Sequence, residues 1–111
     1  MIAMTLNCRG LASLPKKLVV CRMIDEHFID VLFLQETMCG GEMLVCEMES
    51  MNHGWKFLSV DAKGKSGGLL LGWKIRQFQL INAWVVGSGL STSLHSFELK
   101  MTIYCLNLYG P

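Results

Sequence analysis

The run Leu32-Phe33-Leu34-Gln35-Glu36-Thr37 constrains this chain more than any other, because it is an apolar stretch that ends on a carboxylate. Val31 to Gln35 is too short for a helix between its flanks and reads as a strand buried on both faces. Glu36 then stands where strand gives way to loop, the place where functional side chains gather. Two other segments have this form: Asn7-Cys8-Arg9-Gly10-Leu11 closes an apolar run from Ile2 to Leu6, and Asn107-Leu108-Tyr109-Gly110-Pro111 closes the last strand. Between the first two, a helix is predicted from near Ser13, with Pro15 tolerated in its first turn. Leu14, Leu18, Cys21, Ile24 and Phe28 recur at helical spacing and form its expected packing stripe, with Lys16, Lys17, Arg22, Asp25 and Glu26 largely elsewhere. A strand-helix-strand unit places successive parallel strands side by side, so Asn7 and Glu36 are expected to open on one edge.

Downstream, Gly40-Gly41 breaks the chain before a methionine-rich helix from about Glu42 to Met51, with Leu44, Met48 and Met51 as its stripe. Such methionines fill cores more often than they form partner surfaces. Trp55–Val60, Leu69–Trp73 and Phe78–Val86 read as strands, the last two joined by a turn near Lys74, and Asp61 to Gly68 is a polar connection. Gly87 to Ser93 is rich in glycine and serine and reads as another turn. Phe97 to Leu108 contains the alternation Leu99, Met101, Ile103, Cys105, a half-buried strand.

Composition narrows the classes. A chain of 111 residues is one small domain, yet 51% of it is hydrophobic and only 17% charged, more apolar than so small a core requires. The excess implies a surface meant to meet another layer. Every acid except Glu98 lies between Asp25 and Asp61, while Arg9, Lys16, Lys17 and Arg22 precede that block and Lys63, Lys65, Lys74, Arg76 and Lys100 follow it. The division suits an acidic pocket beside a phosphate-contacting rim, and ordinary solvated faces suit it equally well. The cysteines at 8, 21, 39, 46 and 105 form no Cys-x-x-Cys pair, which fits a reducing, intracellular location, nuclear or cytoplasmic. His27, His53 and His95 have no ligand spacing. No run approaches the roughly 20 apolar residues of a membrane span, so no membrane partner is expected.

Taken one at a time, Glu36 is a solvated strand-end carboxylate, Asn7 a turn former and Tyr109 a strand aromatic. Their order and separation, together with Ser66-Gly67-Gly68-Leu69-Leu70-Leu71, resemble the metal-dependent endonuclease/exonuclease/phosphatase superfamily. Within it, the chain is most similar to the endonuclease domain of plant LINE-type retrotransposon proteins. The resemblance implies an α+β fold, the N-terminal half of a four-layer α/β sandwich, with one mixed sheet and its covering helices. Residues 1–111 would then be a partial domain cut before its C-terminal half. It also implies a magnesium ligand in Glu36, a pocket-organising Asn7 and a phosphate-contacting Tyr109, with Asn107 structural. Gly64-Lys65-Ser66 superficially resembles a phosphate-binding loop, but Ser59 stands where its first glycine belongs and a strand follows.

The function so implied is magnesium-dependent phosphodiester cleavage of DNA in a retrotransposon context. Hard divalent cations suit that chemistry, since they neutralise charge on phosphoryl oxygens and stabilise the leaving oxygen. Arg9 sits where some relatives carry a second acid, and Met38 where a lysine is frequent after Glu-Thr. The family's later Asp-x-Asn, metal-associated acids and Asp-His end are missing, so magnesium binding is expected to be weak or absent and the chain inactive alone. An uncovered sheet face carries the expectation of self-association. The rival readings are a non-catalytic retroelement remnant or protein-interaction module and, more remotely, a sugar or lipid phosphatase fragment.

Overall fold

The computed structural model describes residues 1–61, 67–87 and 89–108. β1 (Ala3–Asn7) and β2 (Val31–Gln35) pair in parallel across helix α1 (Leu14–Glu26), with Asn7 opposite Gln35. After helix α2 (Gly41–Met51) come β3 (Trp55–Val60) and β4 (Leu69–Lys74), which complete a mixed sheet in the order β1-β2-β4-β3. β5 (Phe78–Val86), β6 (Gly89–Ser96) and β7 (Met101–Leu108) form a separate antiparallel sheet. The architecture is α+β, with the mixed sheet between the two helices and the second sheet.

The alternation of side chains along β2 and β4 builds both cores at once. Leu32, Leu34 and Leu70 point to the helices, where Val20, Ile24, Leu44 and Met48 meet them. Val31, Leu69, Leu71 and Trp73 point the other way, onto Phe78, Leu90 and Leu94 of the antiparallel sheet. Strands enclosed on both faces are nearly continuous apolar runs, as these are. Among the described residues, no helix is long and apolar enough to cross a membrane.

α1 starts as its sequence predicts: Ser13 caps it, accepting from the Lys16 N–H at 3.4 Å, and Pro15 lies in its first turn. Its buried face differs from the expected stripe. Ile24 is buried as expected, but Leu14 and Leu18 are 59% and 49% exposed, and Lys17 and Val20 are buried in their place. The helix is apolar on more than one side, so periodicity alone does not select the face that docks. Lys17 is tolerated inside because its ammonium donates to the Ala12 carbonyl at 2.8 Å and to Glu47 at 3.0 Å, tying α1 to α2. Phe28 lies beyond the helix end with φ +53°, which takes it off the wheel into solvent.

The largest departure is β6. The glycine- and serine-rich stretch read as a turn from Gly87 to Ser93 is, from Gly89 onward, the central strand of the antiparallel sheet. Its neighbours on both sides satisfy its backbone, and pairing of that kind overrides weak intrinsic strand preference. The small side chains of Thr92, Ser93 and Ser96 are buried there. The final strand begins at Met101 rather than Phe97, because residues 97–100 turn and Lys100 adopts φ +55°.

Candidate metal and phosphate site

The parallel register of β1 and β2 brings the ends of both strands to one edge, and backbone hydrogen bonds carry the alignment into the loops. Cys8 N–H donates to Gln35 O at 2.9 Å, Gly10 N–H to Glu36 O at 2.7 Å and Leu11 N–H to Thr37 O at 2.8 Å. On the other side, Thr37 N–H donates to Gly68 O at 3.2 Å and Met38 N–H to Gly67 O at 2.9 Å. The Gln-Glu-Thr segment is thus held between the Asn7 loop and the double glycine.

This explains part of the Ser-Gly-Gly-Leu-Leu-Leu motif. Gly68 has φ +92°, and a side chain on it would collide with the Oγ1 of the fully buried Thr37. That hydroxyl donates to Cys39 O at 2.8 Å and closes the turn after Glu36. The glycines support the loop from beneath; Ser66 lies outside the described residues.

Three non-glycine residues here occupy left-handed backbone: Arg9 (φ 51°), Glu36 (φ 52°) and Met38 (φ 56°). Such conformations cost of order 1 kcal/mol or more each and cluster where a loop must aim a side chain. Asn7 is exposed, and its Oδ1 accepts the Arg9 N–H at 3.2 Å, so it forms the turn expected of an asparagine there. Lys16 donates to Arg9 O at 2.9 Å and brings a cation to the rim. Burial pushes the Cys8 thiol up to about 11, with Lys16 acting in the opposite sense, and burial also raises Cys39. Both remain neutral thiols, poor ligands for a hard cation.

The third strand end reaches the site through Asn107. Its buried amide donates to Leu34 O at 3.2 Å and Leu70 O at 3.4 Å, and its Oδ1 accepts from Gln35 Nε2 at 2.8 Å. Gln35 also donates to Thr5 Oγ1 at 2.9 Å. β1, β2, β4 and β7 are joined beneath the loop that carries Glu36, beside a cleft of ≈ 490 Å³ that borders Thr5, Gln35 and Asn107. Gln35 and Thr5 escaped sequence reasoning; the signal for Gln35 was an amide inside a strand otherwise apolar. Tyr109 lies outside the described residues. A larger groove of ≈ 870 Å³ lies along β3, the outer strand of the mixed sheet on the side away from β1.

Magnesium is usually held by one or two carboxylates, several waters and substrate phosphates. Glu36 supplies one carboxylate, and the Asn7 carbonyl is already turned to a backbone N–H. Among the described residues, no group of three His, Cys, Asp or Glu side chains converges to hold a metal ion. These residues do not complete a magnesium site, although they occupy one edge.

No protein-family model matches the chain. No curated protein matches it. Solved structures do. An endonuclease/exonuclease/phosphatase family protein from Bacteroides thetaiotaomicron superimposes with TM-score 0.70 at 12% identity, over 94% of this chain and 46% of its own. A mannosyl-6-phosphatase from the same organism gives 0.69 at 12% identity, over 94% and 49%. An AP endonuclease from Leishmania major gives 0.68 at 20% identity, over 96% and 39%. The chain has the fold of these proteins and spans less than half the length of each.

Proposed function

We propose that this chain is the N-terminal half of an endonuclease/exonuclease/phosphatase-type domain of the kind found in plant LINE-type retrotransposon endonucleases, and that it carries half of a site for magnesium-dependent cleavage of DNA phosphodiesters. The observation that carries the reading is the stitched edge where Asn7 and Glu36 end adjacent parallel strands. Within it, Glu36 is the metal-binding carboxylate, Asn7 orders the loop beside it, Tyr109 contacts the phosphate region and Asn107 positions the β7 end. The compartment is intracellular, nuclear or cytoplasmic, in keeping with five cysteines that are all free thiols.

One carboxylate and one amide do not position a nucleophile or stabilise a leaving oxygen, and groups of an active site act as a unit. The chain alone is therefore inactive. A supercoiled-plasmid nicking assay with magnesium tests this: intact plasmid is expected, whereas nicking that disappears in Glu36→Ala protein overturns the half-site reading. Extension of the reading frame past Pro111 tests the family assignment, which expects an Asp-x-Asn and then an Asp-His motif.

A second reading, a non-catalytic interaction module, draws on the outer face of the antiparallel sheet. Trp84, Val86, Tyr104, Leu106 and Leu108 are exposed there. Stop codons directly after Pro111 favour it. A sugar or lipid phosphatase fragment is the remaining alternative, which release of inorganic phosphate from sugar phosphates by the extended chain, without plasmid nicking, would select.

A further inference from the structure

β3 and β5 are the outer strands of their sheets, and the ≈ 870 Å³ groove runs along β3 between them. Its floor is the β3 edge. Val45 of α2 stands on one side and Val85 of β5 on the other. The edge strand alternates between the two: Phe57 belongs to the core under the helices, whereas Leu58 and Val60 pack toward the antiparallel sheet. A chain laid along this edge would send successive side chains to opposite sides of it, as strands do.

The main chain of β3 is only partly satisfied. Phe57 N–H donates to Glu49 Oε2 at 3.1 Å, so it points away from β4, and α2 covers the edge at that residue. Outward-pointing amides recur every second residue, which makes Ser59 the next, and none of the described residues takes its N–H. The Ser59 hydroxyl is also buried without a hydrogen-bond partner among the described residues. Such groups are rare in native proteins. The charged side chains lining the groove are Glu42 and Asp61, both acidic.

We propose that this edge docks an extended segment of a partner protein that adds to the mixed sheet as a further strand beside β3. Its outward carbonyl would meet the Ser59 N–H, its aliphatic side chains on one side would cover Val85, and a lysine or arginine on the other side, beside Val45, would face Glu42 and Asp61. Main-chain pairing supplies affinity in such strand addition, and side-chain pockets and charge supply the choice of partner. The proposal rests on β3 main-chain and groove residues and assigns no role to Asn7 or Glu36, so it stands independently of the nuclease reading.

Three capped heptapeptides test it at micromolar concentrations of the 111-residue chain: Lys-Val-Thr-Val-Thr-Val-Lys, its twin with both lysines replaced by glutamate, and a version with both threonines replaced by proline. Two readouts locate binding: amide exchange of the β3 segment by mass spectrometry, and alkylation of Cys46, an exposed thiol that lines the groove. The basic peptide is expected to slow both. The acidic twin should bind about threefold to tenfold more weakly, since two solvated ion pairs contribute modestly. The proline version should fail, because it cannot continue a strand ladder. Glu42→Lys with Asp61→Lys should invert the charge preference while leaving β3 and its pairing intact. Equal protection by all three peptides, or protection at β7 and not β3, overturns the proposal. Protection of β3 that grows with protein concentration and without peptide also overturns it, by assigning the edge to a second copy.

Discussion

Asn107→Ala removes the side chain that joins the antiparallel sheet to the mixed one. The bond from Gln35 at 2.8 Å is of ordinary strength, and those to Leu34 O and Leu70 O, at 3.2 and 3.4 Å, are longer and weaker. At about 1 kcal/mol for the first and a similar amount for the other two together, with some loss of packing, the substitution should destabilise by about 2–3 kcal/mol. That corresponds to roughly 10 °C in Tm for a domain of this size. Asn107→Asp should be worse at neutral pH, because it places a buried carboxylate against two carbonyl oxygens. Burial raises such a carboxyl, so the extra cost is present while it is charged and disappears as pH falls and it protonates. Urea unfolding of dilute protein, followed through the buried Trp55 and Trp73, measures both variants. An Asn107→Ala protein within about 0.5 kcal/mol of the parent, a change typical of unconstrained surface positions, would refute the tie. So would an aspartate variant no less stable than the alanine variant at neutral pH.

Gly68→Ala should cost about 2 kcal/mol or more, from φ +92° and from collision with Thr37, and amide exchange should show the Glu36 loop loosening ahead of the helices. At Asp30, burial opposes the charge, but the Ile2 N–H, Gln77 and Lys74 outweigh it and hold the carboxyl below its usual range. The stability Asp30 contributes is therefore present above the ordinary carboxylate pKa and lost as pH falls through the lowered value. Urea midpoints measured between about pH 6 and pH 2 should decline less steeply in Asp30→Asn protein. Trp84 and Leu106 flank Ser91 in one cross-strand row of the exposed face, so the parent should self-associate and Trp84→Lys with Leu106→Lys should shift it toward monomer in sedimentation. A parent that sediments as a compact monomer with a cooperative melt contradicts that expectation.

The edge where Asn7 and Glu36 end adjacent strands was legible because its logic is local. An apolar run too short for a helix, a capped helix before it and a polar residue at each strand end suffice to place Asn7 beside Gln35, since one helix between two strands leaves few arrangements. A structural role for Asn107 was expected from its motif, but neither its tying of the two sheets nor its partners were. Leu34, Leu70 and Gln35 are distant in sequence, and only the packing of one sheet on the other brings their groups within hydrogen-bond range.

By itself, then, the order of apolar runs, caps and glycine breaks determined which segments become β1 to β5, where both helices start and which edge carries Glu36. Tertiary structure alone decided the rest. Val20 joins the predicted Ile24 in the core while Leu14 and Leu18 stay exposed, because docking selects one face of a helix that is apolar on several and lets α2 supply a partner for Lys17. Gly89–Ser96 became a central strand because β5 and β7 satisfy its backbone from both sides. Both outcomes depend on hydrogen-bonding and packing partners far along the chain, which no window of local sequence contains.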